Sequence, residues 1–222
     1  MENKKRLECF KTQLEYIQTP GFKRYAEILI TKADEYFFSV PASSSGKYHP
    51  DFARKVGGLV LHTKAVVDIL HTLIDEQELF GLKRFERDML YVAAIAHDIK
   101  KQGDGTVGHT TFQHPLYASK YVLEVYKDNQ SELEKMCIST DNALKLSSIV
   151  STHMGKWYAK YDIPAPNTLG AYLLCTADVI ASRKEWNQKF ENEPQVIQEM
   201  LLTEVHEHKQ AGNKSKKPVK KA

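Results

Sequence analysis

The sequence predicts an all-α protein, on three observations. Apolar residues recur at helical spacing through most of its length, the few β-branched runs are too short and too poorly alternating for a sheet, and proline, glycine and polar clusters fall where helices would end. Residues 8–18 form a first helical stretch, stopped by Pro20 and Gly21, and residues 22–38 a second, ending before Pro41. The connection SVPASSSGKYHPDFARKVGG is long for a compact domain, which makes it a candidate binding or lid segment. From 59 to 74 leucine, valine and isoleucine keep a helical stripe, and His62, between Leu59 and Val66 on that stripe, should point inward. Residues 84–99 begin charged and become nearly all apolar through MLYVAAIA, a helix that runs into the core and delivers His97 and Asp98 there. After the glycine-rich break KKQGDGTVGHTT, helical patterning resumes over 112–126, 131–138 and 142–152, with His153 just before Gly155. PAPNT is a start signal, with Asn167 or Thr168 as N-cap, for a helix over 169–186 that carries Asp178. A last helix follows Pro194 to about 207, and no repeat at a solenoid period is present.

A length of 222 residues, 42% hydrophobic and 27% charged, suits one globular domain with a sizeable core. We read residues 1–40 as N-terminal helices packing on that core, 41–208 as the functional domain and 209–222 as a disordered basic tail. The tail holds six lysines and no acid, which leaves about −3 of the formal +3 charge for the rest of the chain. It is either a solvated tail or a weak electrostatic hold on nucleic acid or another polyanion. No apolar run approaches a membrane span and the first residues lack a signal-peptide core, so no membrane partner and a cytoplasmic location are expected. Cys9, Cys137 and Cys175 are far apart and odd in number, which excludes a disulfide framework or a thiolate zinc site and reads as three reduced, packed thiols. No oligomeric state is implied.

A histidine on an apolar helical face is by itself usually a satisfied core residue. The combination here is different, because His62, His97, Asp98 and Asp178 are all polar groups on inner faces, and burying them without partners would cost several kcal/mol. A shared divalent cation satisfies them together and leaves positions open for water, as a hydrolytic metal site requires.

His62, then AHDIKK at 96–101, then TADVIASR at 176–183 resembles the H…HD…D signature of HD-superfamily phosphohydrolases, over roughly residues 40–183. The resemblance implies a single helical bundle in which His62, His97, Asp98 and Asp178 bind a divalent metal. In the binuclear branches two further histidines lie between, and His114 in FQHPLYAS and His153 in STHMGKW stand where they are expected. His109 competes with His114. We prefer His114, because PLYASKYV after it is an apolar helix start and because the branch resembling diadenosine tetraphosphate hydrolases has a similar segment. His109 is then a loop residue near the opening, either exposed or touching substrate.

The implied activity is hydrolysis of a phosphate ester or anhydride of a nucleotide, dinucleotide or cyclic nucleotide by metal-activated water. Asp98 suits bridging two ions and orienting the water, and Lys101, at the spacing of the lysine in the family's HD-x-x-K form, would bind phosphate, with Lys100 facing solvent. Lys156 and Arg183 are further phosphate-contact candidates, and Trp157 and Tyr158 could stack on a base or simply cap a helix. His49, His71, His206 and His208 are expected at the surface, with His49 kept as a weak substrate-side candidate. The histidine and carboxylate ligand set suits one or two ions of Mn, Fe, Zn, Co or Ni, with Mg a further option. The segment leading through Gly-Gly-Leu to His62 also resembles the catalytic-domain entry of HD-family 3′-5′ exoribonucleases. An exonuclease on short oligonucleotides is therefore the second reading, and a metal-bound, non-catalytic nucleotide sensor the third.

Overall fold

The apolar periodicity becomes helix almost throughout. A computed structural model describes residues 1–44, 46, 49–76, 81–105 and 108–202, and no strand occurs among them. Three helices come first, α1 (Asn3–Cys9), α2 (Lys11–Tyr16) and α3 (Pro20–Lys32). The body follows as α4 (Gly58–His71), α5 (Arg84–Ala96), α6 (His114–Asp128), α7 (Gln130–Lys135), α8 (Thr140–Ser151), α9 (Tyr158–Tyr161), α10 (Leu169–Ala181) and α11 (Gln195–Leu202). Short 3-10 turns occupy Glu35–Phe38, Asp51–Arg54 and Gly155–Trp157, and a π turn, Thr72–Glu76, extends α4.

Several boundaries differ from expectation for local reasons. The first stretch breaks at Phe10, which leaves the helical region at φ −113° while its ring is buried. The second breaks at Ala33, before the Glu35–Phe38 turn. α5 ends at Ala96 and not 99, and a run of tight turns carries the chain through residue 105. α10 begins as read, with the Ala171 amide donating to Thr168 Oγ1 at 3.2 Å, but stops at Ala181 instead of 186, where Ser182 Oγ donates back to the Asp178 carbonyl at 2.8 Å. The remainder of the last helix, the basic tail, His206 and His208 lie outside the described residues.

α4 is buried along nearly its whole length, packed on α5 and α10, while α8 closes against α5 and α10 and α6 lies along α8. The place where α4, α5, α8 and α10 meet is the centre of the bundle. Phe10, Phe22 and Tyr25 from the N-terminal helices join the same apolar cluster. No helix among the described residues is long and apolar enough to cross a membrane.

The Gly-Gly pair sets the start of α4. Gly57 is its N-cap in the left-handed region, at φ 73°, and a Cβ on Gly58 would fall well inside contact distance of the Ala53 backbone carbonyl. Gly58→Ala should therefore destabilise the protein by roughly 2 kcal/mol, because a backbone atom cannot swing aside. A melting temperature unchanged by that substitution would count against this close approach.

A polar network lies on the side of α4 away from the bundle centre. Lys64 is wholly buried, donates to the Cys9 carbonyl at 2.8 Å and to Gln13 Oε1 at 2.6 Å, and pairs with Glu193 at 3.0 Å. One turn on, Asp68 accepts from Gln13 Nε2 at 2.8 Å and Gln188 Nε2 at 3.0 Å. Burial pushes the Lys64 ammonium down and the Asp68 carboxyl up from their ordinary values. His71 is not a surface residue: it is half-buried, stacks on Tyr16 with ring centroids 4.0 Å apart, and its Nδ1 lies 2.8 Å from the Tyr91 hydroxyl. The cysteines also divide. Cys9 is buried, its thiol pushed up to about 12 chiefly by desolvation, whereas Cys137 is exposed at a φ of 65° and so is not a packed thiol.

Candidate metal centre

Six side chains arrive at the bundle centre from five helices or helix ends. His62 lies within α4, His97 is the C-cap of α5 and Asp98 follows it, His114 is the first residue of α6, His153 comes two residues after α8, and Asp178 is in α10. Five are buried, at 0% exposure for His62, His97 and Asp98 and 1% for His114 and His153, and the Asp178 side chain is 18% exposed. Three of the histidines are anchored alike, through Nδ1 to the carbonyl three residues earlier: His97 to Ala94 at 2.6 Å, His114 to Thr111 at 2.7 Å and His153 to Val150 at 2.8 Å. For His97 and His153 the acceptor is a carbonyl in the last turn of a helix, one of those that helix geometry leaves unpartnered.

A carbonyl can only accept, so each Nδ1 donates its N–H there and the Nε2 lone pair is the one left to hold a cation. Those lone pairs converge. His114 Nε2 and His153 Nε2 are 3.0 Å apart, a contact that repels unless a cation or proton lies between. His62, His97 and Asp98 form one group able to hold an ion, and Asp98, His114 and His153 form another. Asp98 belongs to both and divides its oxygens, with Oδ1 2.8 Å from His114 Nε2 and 3.5 Å from His153 Nε2, and Oδ2 3.4 Å from His97 Nε2 and 3.7 Å from His62 Nε2. Asp178 Oδ1 approaches His62 Nε2 at 3.1 Å and His97 Nε2 at 3.9 Å. Both ring nitrogens of His62, His97 Nε2 and Asp98 Oδ1 are buried with no hydrogen-bond partner. Orphaned lone pairs of this density fit a divalent cation.

The electrostatics agree. Burial works to raise the Asp98 carboxyl, but Lys101, His97 and His114 outweigh it and hold it well below the carboxylate range; burial works to raise Asp178 too, and His62 and His97 hold it low. Burial lowers His114 to about 4, with Lys101 adding to the effect, so its ring is neutral at physiological pH. His97 moves up, because Asp98 outweighs the desolvation of its charged form.

A cavity of about 510 Å³ opens over the centre, its wall including His49, Lys101, Phe112, His114, His153 and Asp178, with Lys156, Trp157 and Arg183 further out. Lys101 Nζ lies 2.6 Å from Asp98 Oδ2. Lys156 and Arg183 are exposed at the cavity edge. Two loops meet at the rim, where the Thr110 amide donates to Ser44 Oγ at 2.9 Å. His109 and Tyr158 are exposed and do not line the cavity. Lys100 is not solvent-facing: its side chain is 17% exposed, pairs with Asp34 at 2.8 Å and lies 4.8 Å from the Tyr121 ring centroid.

Known proteins with related sequences are phosphodiester hydrolases by name. The 3′-5′ exoribonuclease YhaM of Bacillus subtilis (strain 168) is 26% identical over 167 residues, 72% of this chain and 48% of that protein. The protein of the same name from Geobacillus sp. (strain WCH70) is 26% identical over 174 residues, 73% of this chain and 48% of its own length. A dihydroneopterin 2′,3′-cyclic phosphate phosphodiesterase of Methanocaldococcus jannaschii is 28% identical over 137 residues, 59% of this chain and 48% of the relative. The chain thus spans about half the length of the curated relatives it matches. No protein-family model matches it, and no solved structure does.

Two site residues carried little signal in the sequence. His49 is half-buried, its ring centroid 5.4 Å from that of His62, and its Nδ1 is buried without a partner; desolvation, then His62 and Lys101, lowers its pKa to about 3. It sits in an irregular loop, where periodicity says nothing about burial. Phe112 reads from sequence as the apolar start of a helix, but it precedes α6 and is 52% exposed on the cavity wall.

Proposed function

We propose that this chain is a metal-dependent phosphohydrolase of the HD type, cleaving a nucleotide-like phosphodiester in the cavity over Asp98. The observation that carries the reading is the division of the Asp98 carboxylate between two buried ligand groups. In this reading His62, His97 and Asp178 would hold one divalent ion and His114 and His153 a second, with Asp98 available to both. Such ions supply an activated water near neutral pH and neutralise charge gathering at phosphorus. The protein's own groups do the positioning. Asp98, whose Oδ2 accepts from Lys101 Nζ at 2.6 Å, orients the attacking water; Lys101, next to it on the cavity wall, takes a non-bridging phosphoryl oxygen. Lys156 and Arg183 draw the anion to the mouth, and His109, off the wall, is given no contact. Residues 41–208 form the catalytic unit, braced by 1–40.

Phosphodiesters are preferred to monoesters because the relatives are by name a 3′-5′ exoribonuclease and a cyclic-phosphate phosphodiesterase. Bis(p-nitrophenyl) phosphate and 2′,3′-cyclic AMP should be hydrolysed with added Mn²⁺ and not after chelation. Absence of turnover with every divalent ion tried would leave only a non-catalytic module. Action on short oligoribonucleotides is the second reading, favoured by relatives of that name aligned over about three quarters of the chain. It predicts stepwise shortening from one end and strong salt dependence of binding.

The number of ions has its own test. His153→Ala should cut metal content from about two ions per chain to about one while keeping the fold, read by elemental analysis and circular dichroism. Unchanged metal content with weakened substrate binding would make His153 a substrate contact instead.

A further inference from the structure

An aromatic group at the cavity mouth is left unused by the phosphate chemistry. Phe112 lies just before α6, and Tyr161, at the end of α9, is stacked flat against it, with ring centroids 4.0 Å apart and planes 2° apart. One face of Phe112 is thereby covered and its plane is held, yet the residue remains 52% exposed and lines the cavity. Trp157, 46% exposed, lines the same cavity, with Lys156 Nζ 5.2 Å and Lys160 Nζ 5.7 Å from its ring centroid. Isolated exposed aromatics need no explanation. Two of them on the wall of one cavity, one backed by a parallel ring, flanked by lysines and continuous with a centre suited to phosphate, match a ligand with a flat π face joined to an anion.

We infer that Phe112, held in place by Tyr161, is the stacking platform for a nucleobase of the substrate, with Trp157 beside it. This rests on the phosphoester reading of the same site. A cavity of about 510 Å³ is within the usual range for a small-molecule site, and so accommodates a nucleotide unit. The lining among the described residues holds no side-chain amide, and its one carboxylate, Asp178, belongs to the centre, so recognition there rests chiefly on stacking and charge.

The test uses the full chain, with Mn²⁺, and three probes: adenosine 5′-monophosphate, ribose 5-phosphate and adenosine. Adenosine 5′-monophosphate should bind about 5- to 100-fold tighter than ribose 5-phosphate by calorimetry, the range that stacking of one base supplies. Phe112→Ala should remove that margin and leave ribose 5-phosphate affinity unchanged, and Phe112→Tyr should restore it. The chain has two tryptophans, so a Trp186→Phe background leaves Trp157 as the only tryptophan reporter. Adenosine alone should quench its fluorescence there, a readout independent of phosphate. Equal affinity for the two phosphates in the wild type, or an equal loss for both in Phe112→Ala, would overturn the platform while leaving the phosphoester reading intact. If ribose 5-phosphate does not bind but adenosine still quenches Trp157, the phosphoester reading fails and the base platform stands.

Discussion

Replacing Asp98 by alanine is expected to lower phosphodiester turnover by on the order of 10³-fold or more, since one carboxylate serves both ligand groups and orients the water. Metal content should fall with it. The metal-free protein should keep its fold, because Lys101, the partner of Asp98 Oδ2, lines the open cavity and can turn its ammonium to water. That combination separates a chemical role from a structural one. Turnover within tenfold of wild type would sink the mechanism, and a collapse in metal-free stability would make Asp98 a packing residue.

The largest stability effect should come from the face of α4 opposite His62. Lys64 stands two residues after His62, which turns it away from the bundle centre and into the network with Cys9, Gln13 and Glu193. Lys64→Met should cost about 3–5 kcal/mol, because it strands Glu193, 7% exposed, and removes the cation nearest Asp68. A fall in melting temperature of roughly 10 °C follows for a chain of this size. Pairing it with Glu193→Leu should recover much of the loss, while metal content stays unchanged throughout. A single variant as stable as wild type would show that the ion pair contributes nothing.

The helices and most of the centre were legible in the sequence because both are written in local patterns. The stripe around His62 and the apolar run before His97 each say which side of a helix is buried, and the structure buries both histidines. The Thr168 cap was legible for the same reason. What escaped depends on contacts between distant segments. His71 is drawn in by Tyr16 and Tyr91, Lys100 by Asp34, and His49 by its place beside His62, none of which leaves a trace within a helical turn. Phe112 was misread for a related reason: its covered face comes from Tyr161, far along the chain and on a short helix that periodicity could not find.

The Nδ1 bonds of His97, His114 and His153 to carbonyls three residues back have a consequence for metal exchange. Each ring is oriented by its own stretch of chain before any ion arrives, so the entropy of aiming three ligands is lost during folding and not during coordination. Stripping and reloading the centre should then leave circular dichroism unchanged and proceed without unfolding. Rings aimed in advance also fix the geometry offered to an ion, so a metal bound there would be chosen by coordination geometry as well as by intrinsic order of affinity.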